Sequence, residues 1–336
     1  MINKKTKFCK AAALLGAAVM MISALAGCGK NTKVVLTAGL KKNEVFRISS
    51  ASCMLPEVMV YLTNMQNQYE SVYGSQIWNA SDGQLSLEQE EREQVLTQLA
   101  RIKVMNLLAQ KKEVTLDDKE KERAAAAGRE YFISLNSAEV TALNVTQDLI
   151  TKMYEEYALA EKVYQTIVEN VNPEVSDDEA RTITVDMIRV SDSAKASQVL
   201  GKAKEEGVDF ETLAQAESED QTVTQSFGKG EVSEALEKAA FNLGKDEISD
   251  VVESDGSYYI LKCISTFDEA QTKANKEKIV KQRQSEAFDT EYTAFEQTLV
   301  RQLNEELWNS VTMIHQDDVK TSSFFEVYQM YFQHQE

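Results

Sequence analysis

Histidine is nearly missing from this chain. Its two copies in 336 residues, His315 and His334, both fall within the last 22. A His-based metal site, or a Ser–His or Cys–His nucleophile pair, would have to draw on the extreme C-terminus, which argues against hydrolases of those kinds. Cysteine is scarce as well, with four residues and no zinc-type spacing. Proline occurs twice, at Pro56 and Pro173, and glycine 13 times. That composition disfavours a loop-rich β protein and favours long helices. Positive charge is outnumbered, 36 Lys and Arg against 54 Asp and Glu for a formal charge of −18, so a phosphate backbone is repelled and nucleic-acid binding is disfavoured. What is present is ordinary for a globular protein: 43% hydrophobic and 27% charged residues, in a length that accommodates two domains.

Residues 1–27 read as a targeting segment and stand outside any fold reasoning. Lys4, Lys5, Lys7 and Lys10 form a cationic start, and Ala11 to Ala24 is an apolar run of 14 residues, too short to cross a bilayer comfortably. The run ends in Leu25-Ala26-Gly27-Cys28. That tetrad resembles the bacterial lipobox, and the resemblance implies cleavage before Cys28, diacylation of its thiol and anchoring outside the cytoplasm. Two acyl chains hold a protein stably where one is marginal. The mature chain would lose four Lys and no acid, moving its charge to −22. Cys53 and Cys263 then remain, in regions assigned to different domains, and are expected to be free thiols.

A polar tether (residues 28–43) leads to a strand at Glu44–Ile48, and residues 44–175 carry mainly helical patterning. Val58, Tyr61, Leu62, Met65, Tyr69 and Val72 recur every three or four residues. Ser86-Leu87-Glu88-Gln89 opens a second helix as a capping box, and Asp117-Asp118 and the run Leu149–Ile167 mark two more. Seven of the twelve tyrosines lie in residues 61–164. They read either as core or as an adaptable client groove lined by Tyr and Met. Beyond Pro173 the periodicity changes. Ser176-Asp177-Asp178-Glu179 reads as another capping box. Strands are expected at Thr182–Val190, Glu247–Glu253 and Ser257–Ser265, the last two joined at Asp255-Gly256, with short helices between. Residues 176–267 thus form an α+β unit, and residues 268–336 return to helix. There Phe288, Tyr292, Phe295, Leu299, Leu303 and Leu307 imply one long helix through Trp308 that packs back on the first helical region. The apolar tail Phe324–Phe332 reads as a docked or a sticky terminal segment.

The order of segments in the α+β unit resembles a parvulin-type peptidyl-prolyl isomerase domain. The pieces run from Ile183–Val190, through Gly207-Val208-Asp209-Phe210, Ser218-Glu219-Asp220 and Phe227-Gly228-Lys229-Gly230, to Ala239–Leu243, Glu247-Ile248-Ser249 and Gly256–Lys262. The resemblance implies a four-stranded antiparallel sheet with surrounding helices. It also implies an apolar proline pocket over a polar floor of two histidines beside a Cys or Asp. Such a site needs neither metal nor cofactor, since turning an X–Pro bond means disrupting amide conjugation against a barrier of about 18–20 kcal/mol. Position by position, Phe241 matches the pocket phenylalanine, and Val232 and Leu236 stand where Met and Phe are usual. Asp220 matches the Cys/Asp position. The two histidine positions fall at Met187, in Met-Ile-Arg-Val, and at Tyr259, in Ser-Tyr-Tyr-Ile-Leu-Lys. A tyrosine hydroxyl is able to hydrogen-bond Asp220 or a neighbour, whereas Met187 replaces no imidazole. Two readings therefore stand side by side: weak or lost isomerase activity in a retained proline-peptide module, and useful activity. Asp246 also replaces a glycine usual before Glu-Ile-Ser.

The whole arrangement resembles the lipoprotein foldases of the PrsA and SurA-like group. That resemblance implies a mainly helical chaperone domain with an inserted isomerase domain, anchored at the outer face of a bacterial cytoplasmic membrane. The implied partners are unfolded secreted polypeptides and their proline-containing segments, and a homodimer stays open. A pure holdase with an inactive isomerase fold is the alternative. A transporter solute-binding lipoprotein would need two α/β lobes with parallel sheets, which the strand pattern does not supply. A cell-envelope scaffold with a fixed partner is a further option.

Overall fold

The computed structural model describes residues 39–80 and 86–332, so the lipobox reading at Cys28 lies outside the described residues. The chain divides into two compact units, Met1–Asn170 with Ala287–Glu336, and Val171–Glu286. The fold is α+β, with 12 α-helices among the described residues and only antiparallel strand pairs.

The first unit begins with a hairpin of β1 (Glu44–Ile48) and β2 (Ala51–Met54). Then come α1 (Leu55–Tyr73), α2 (Leu87–Lys111), α3 (Asp118–Ser134), α4 (Ser137–Leu143) and α5 (Gln147–Val168). Pro56 sits in the first turn of α1, where a missing N–H costs nothing. Ser86 and Gln89 do form the reciprocal box at α2. Helix α4 escapes a reading by long periodicity, because it has two turns; Asn136 and Glu139 cap it, and left-handed Asn144 closes it.

The second unit holds α6 (Asp177–Ala180), β3 (Thr182–Val190), α7 (Ser193–Ala203), α8 (Phe210–Glu217), β4 (Thr224–Gly228), α9 (Glu234–Phe241), β5 (Val252–Ser254) and β6 (Ser257–Ser265). Its sheet has the order β4-β3-β6-β5. Asp255 and Gly256 both have positive φ, 49° and 74°, which a two-residue hairpin turn requires. The strand expected over Glu247–Glu253 shrinks to β5 and one isolated bridge, Ile248 to Lys262. Asp246 adopts φ 66°, the left-handed region that explains the usual glycine. The Ser249 hydroxyl then accepts the Leu261 N–H, replacing a ladder bond. The capping box expected at Ser176 is only half made: Ser176 caps Glu179 N–H, while the Glu179 carboxylate pairs with Arg283.

Helix α10 (Glu269–Glu296) runs past the boundary between the units, followed by β7 (Arg301–Leu303), α11 (Glu305–Asn309) and α12 (Phe324–Phe332). The expected single helix through Trp308 is therefore broken. Residues 301–303 are drawn into β7 because β1 has a second edge to fill, pairing Phe46 with Leu303 and Ile48 with Arg301. Leu299, Leu303 and Leu307 still pack on the core, but Leu299 does so from the loop before β7, Leu303 from β7 and Leu307 from the separate helix α11, not from one helical face. A spacing of three to four apolar residues does not distinguish the two arrangements.

The apolar tail is docked. Phe324 is fully buried among Tyr61, Tyr131 and Tyr154, stacking on Tyr154 at 4.5 Å between centroids. Asn64 bonds the Phe324 N–H and the Tyr131 hydroxyl, and the Tyr154 hydroxyl donates to the Phe324 carbonyl. These tyrosines are core, and α12 fills the space that the groove reading left open. Cys53 and Cys263 are buried free thiols, one in each unit.

Both tryptophans, Trp78 and Trp308, belong to the first unit, so their fluorescence reports its unfolding alone. Phe324→Ala is expected to cost about 3–5 kcal/mol in urea unfolding followed by that signal; a loss under about 1 kcal/mol would mean α12 is merely draped on the surface. Glu44 on β1 is buried and held at a pKa of about 2, first by hydrogen bonding from Arg47 and then by Lys41 N–H and Ser52. Because its folded value lies below the ordinary 4.5, its stabilisation is complete above pH 4.5 and is lost as pH falls towards 2. Discounted for the part-exposed Arg47, that is about 2 kcal/mol. Wild type and Glu44→Gln should differ by this amount at pH 7, narrow below pH 4.5 and converge only as pH falls through about 2; a pH-independent gap would contradict the assignment.

Candidate functional site

The sheet of the second unit is covered on both sides, and strand alternation decides which residue meets which helix. Ile188, Val190 and Ile260 face α7 and α8. Ile183, Val185, Met187 and Leu261 face the other way, towards α9. Helix α9 is set in place by Ser233, which caps Leu236 N–H and exchanges a 2.7 Å hydrogen bond with Ser254 on β5. Val232, Leu236 and Ala240 follow at intervals of four and so share one face of α9 and its lead-in, packed on the sheet.

On this face the structure brings together five of the six residues singled out by sequence. Met187 and Leu236 are buried in one apolar cluster, and Val232, Phe241 and Tyr259 are half-buried against it. Phe227 joins them, its ring centroid 6.3 Å from that of Phe241. The Arg181 guanidinium covers Phe241 at 4.9 Å from the ring centroid, a cation–π contact. The result is a half-open apolar shelf.

Asp220 is not part of that cluster. It follows α8, and its Oδ1 accepts the Arg189 Nε–H at 2.8 Å. The Tyr259 hydroxyl makes no hydrogen bond to Asp220, whose carboxylate Arg189 has taken. Sequence reasoning passed over Arg189, although its place was readable: two residues beyond Met187, it lies on the same strand face. It stands directly across from Tyr259 in the β3–β6 register. Donation to the Asp220 carboxylate, with Glu219 3.7 Å away, raises the Arg189 pKa further and keeps it cationic. The Ser191 backbone N–H, then its hydroxyl and Arg189, hold Glu219 below the usual carboxylate range. A fixed ion pair thus borders the apolar shelf. Among the described residues, no three His, Cys, Asp or Glu side chains are grouped to hold a metal.

Residues 169–277 match the family profile of the PPIC-type PPIASE domain. The inserted unit is a PPIC-type domain. The chain is also similar to Foldase protein PrsA of Streptococcus pneumoniae, for example strain D39, at 31% identity over 165 residues, covering 44% of this chain and 53% of that protein. It therefore spans about half the length of these PrsA relatives. Among solved structures, peptidylprolyl isomerase PrsA from Bacillus cereus aligns at 19% identity over 72% of this chain and 91% of that one, with a TM-score of 0.38. Foldase protein PrsA from S. pneumoniae aligns at 21% identity over 74% and 98%, with a TM-score of 0.34. Residues 180–267 contain no histidine, so neither of the two expected from the resemblance is present in this domain.

Proposed function

We propose that this protein is an extracytoplasmic, membrane-anchored foldase that holds unfolded secreted polypeptides and engages their proline-containing segments through the PPIC-type domain, with weak isomerase activity. The observation that carries this reading is the convergence of Val232, Leu236 and Phe241 with Met187 and Tyr259 on one half-open apolar face of that domain. The PrsA relatives support the foldase role. The lipobox at Cys28 is the reason for proposing the anchor, and no described helix is long and apolar enough to cross a membrane.

Weak activity follows from what the shelf lacks. A proline ring seated against Phe241 and Leu236 leaves water, which removes competing hydrogen bonds from the amide. Rate acceleration further requires donors aimed at the charge that shifts as conjugation breaks. Met187 offers none, and the nearby Arg189 is committed to Asp220. Binding then exceeds catalysis, because interactions equal in ground and transition states do not accelerate the step.

Restoring the floor tests this. In a prolyl-peptide isomerisation assay on the full chain, Met187→His with Tyr259→His should raise kcat/KM by about tenfold or more, short of the 10²–10³ of an optimally placed donor. Suppression of client aggregation should be unchanged. If the double variant folds and kcat/KM does not rise, the assignment of these two positions is wrong.

A further inference from the structure

The first unit contains a cavity of about 410 Å³ that the isomerase site does not use. Its wall includes Lys41, Lys103, Lys152, Glu156, Ser52 and Asn106. Lys103 is 1% exposed, and its ammonium lies 2.5 Å from both Glu57 Oε2 and Glu156 Oε2. Lys152 stands 3.6 Å from Glu156. Lys41, Lys103 and Lys152 stand against the carboxylates of Glu57 and Glu156, while Glu44, which accepts from Lys41 N–H and the Ser52 hydroxyl, is matched by Arg47; the balance is one positive charge in a chain that is acidic overall. Lys103 also keeps a third donor beyond its two carboxylate bonds. Burying such a triad is costly, and apolar residues of similar volume commonly serve stability as well or better. The triad stands at the wall of a polar cavity rather than in a closed core.

The same cavity borders a sheet edge. Among the described residues, strand β2 is terminal in the order β2-β1-β7. Bonds from Ser49 N–H to Val300 and from Asn304 N–H to Val45 show that odd-numbered residues of β1 address β7. Phe46 and Ile48 therefore address β2, opposite Cys53 and Ala51. By alternation Ser52 turns its N–H and C=O away from β1, on the edge that lines the cavity.

We infer that this cavity binds an extended polypeptide segment bearing a carboxylate side chain. The segment pairs its backbone with Ser52, as an added strand, and places its carboxylate among Lys41, Lys152 and the third donor of Lys103. That the occupant is a client chain rests on the proposed foldase role; the chemistry of the cavity does not.

The probe is a fluorescein-labelled peptide of eight alternating Val and Thr residues with one central Glu, compared by anisotropy with its Gln counterpart, on the full chain. Wild type should bind the Glu peptide about tenfold more tightly, the scale of one charge-assisted contact. The preference should disappear in Lys41→Glu with Lys152→Glu, two substitutions at exposed positions, and Ser52→Pro should weaken both peptides. Equal binding of the two peptides by wild type overturns the inference without needing any variant. So does a preference retained in the double variant with unchanged circular dichroism. Selective Glu-peptide binding without suppression of client aggregation would uphold the cavity and overturn the foldase reading; suppression without selectivity would do the reverse.

Discussion

The pairing of β1 with β7 is the constraint on which the first unit depends. Phe46 meets Leu303 and Ile48 meets Arg301, across roughly 250 residues of intervening chain. The entropy of closing so long a loop grows only as the logarithm of its length, to about 5 kcal/mol plus a constant. The long gap is thus tolerable, and a unit with its own core inside it shortens the effective loop further. The chain on both sides of β7 joins the first unit through that closure. Phe288 and Tyr292 of α10 pack beneath Arg101, the Gln66 amide exchanges two bonds with Ile314, and Phe324 completes the tyrosine core. Folding of this unit is expected to be slow relative to its helix content, since its decisive contacts are the most distant in sequence.

Within the PPIC-type domain, the division of labour is between an apolar shelf and an ion pair beside it. The shelf comes from strand alternation and the Ser233–Ser254 bond that fixes α9. The ion pair of Arg189 with Asp220 stands at the same end of β3 as Met187, on the same strand face. In the function proposed above, such a site would favour adhesion of a proline ring over acceleration of its twisting amide, so that binding and catalysis separate.

The parts of this structure legible in sequence are those set by short-range chemistry. The box at Ser86, the turn at Asp255-Gly256, strand β3 and the apolar stripe of α5 are all local patterns, and all are present. Long-range demands decided the rest. The segment after Glu296 has helical spacing but serves as an edge strand because β1 needed a partner. Glu179 serves Arg283 rather than its own helix start. The α9-facing cluster was readable from resemblance, residue by residue, whereas the place of Arg189 depends on Asp220, 31 residues on, and on Tyr259 across the β3–β6 pair, neither of which a local pattern marks. The cavity beside β2 had no local signature at all, since Lys103, Glu57 and Glu156 belong to three separate helices.

The most direct test of the account is two-dimensional NMR exchange on an X–Pro peptide in the presence of the full chain. The account predicts that the peptide binds, that its cis–trans exchange is faster than the uncatalysed time of about 10–100 s only by a small factor, and that Phe241→Ala abolishes both effects. Binding and exchange unaffected by Phe241→Ala in the folded protein would contradict it.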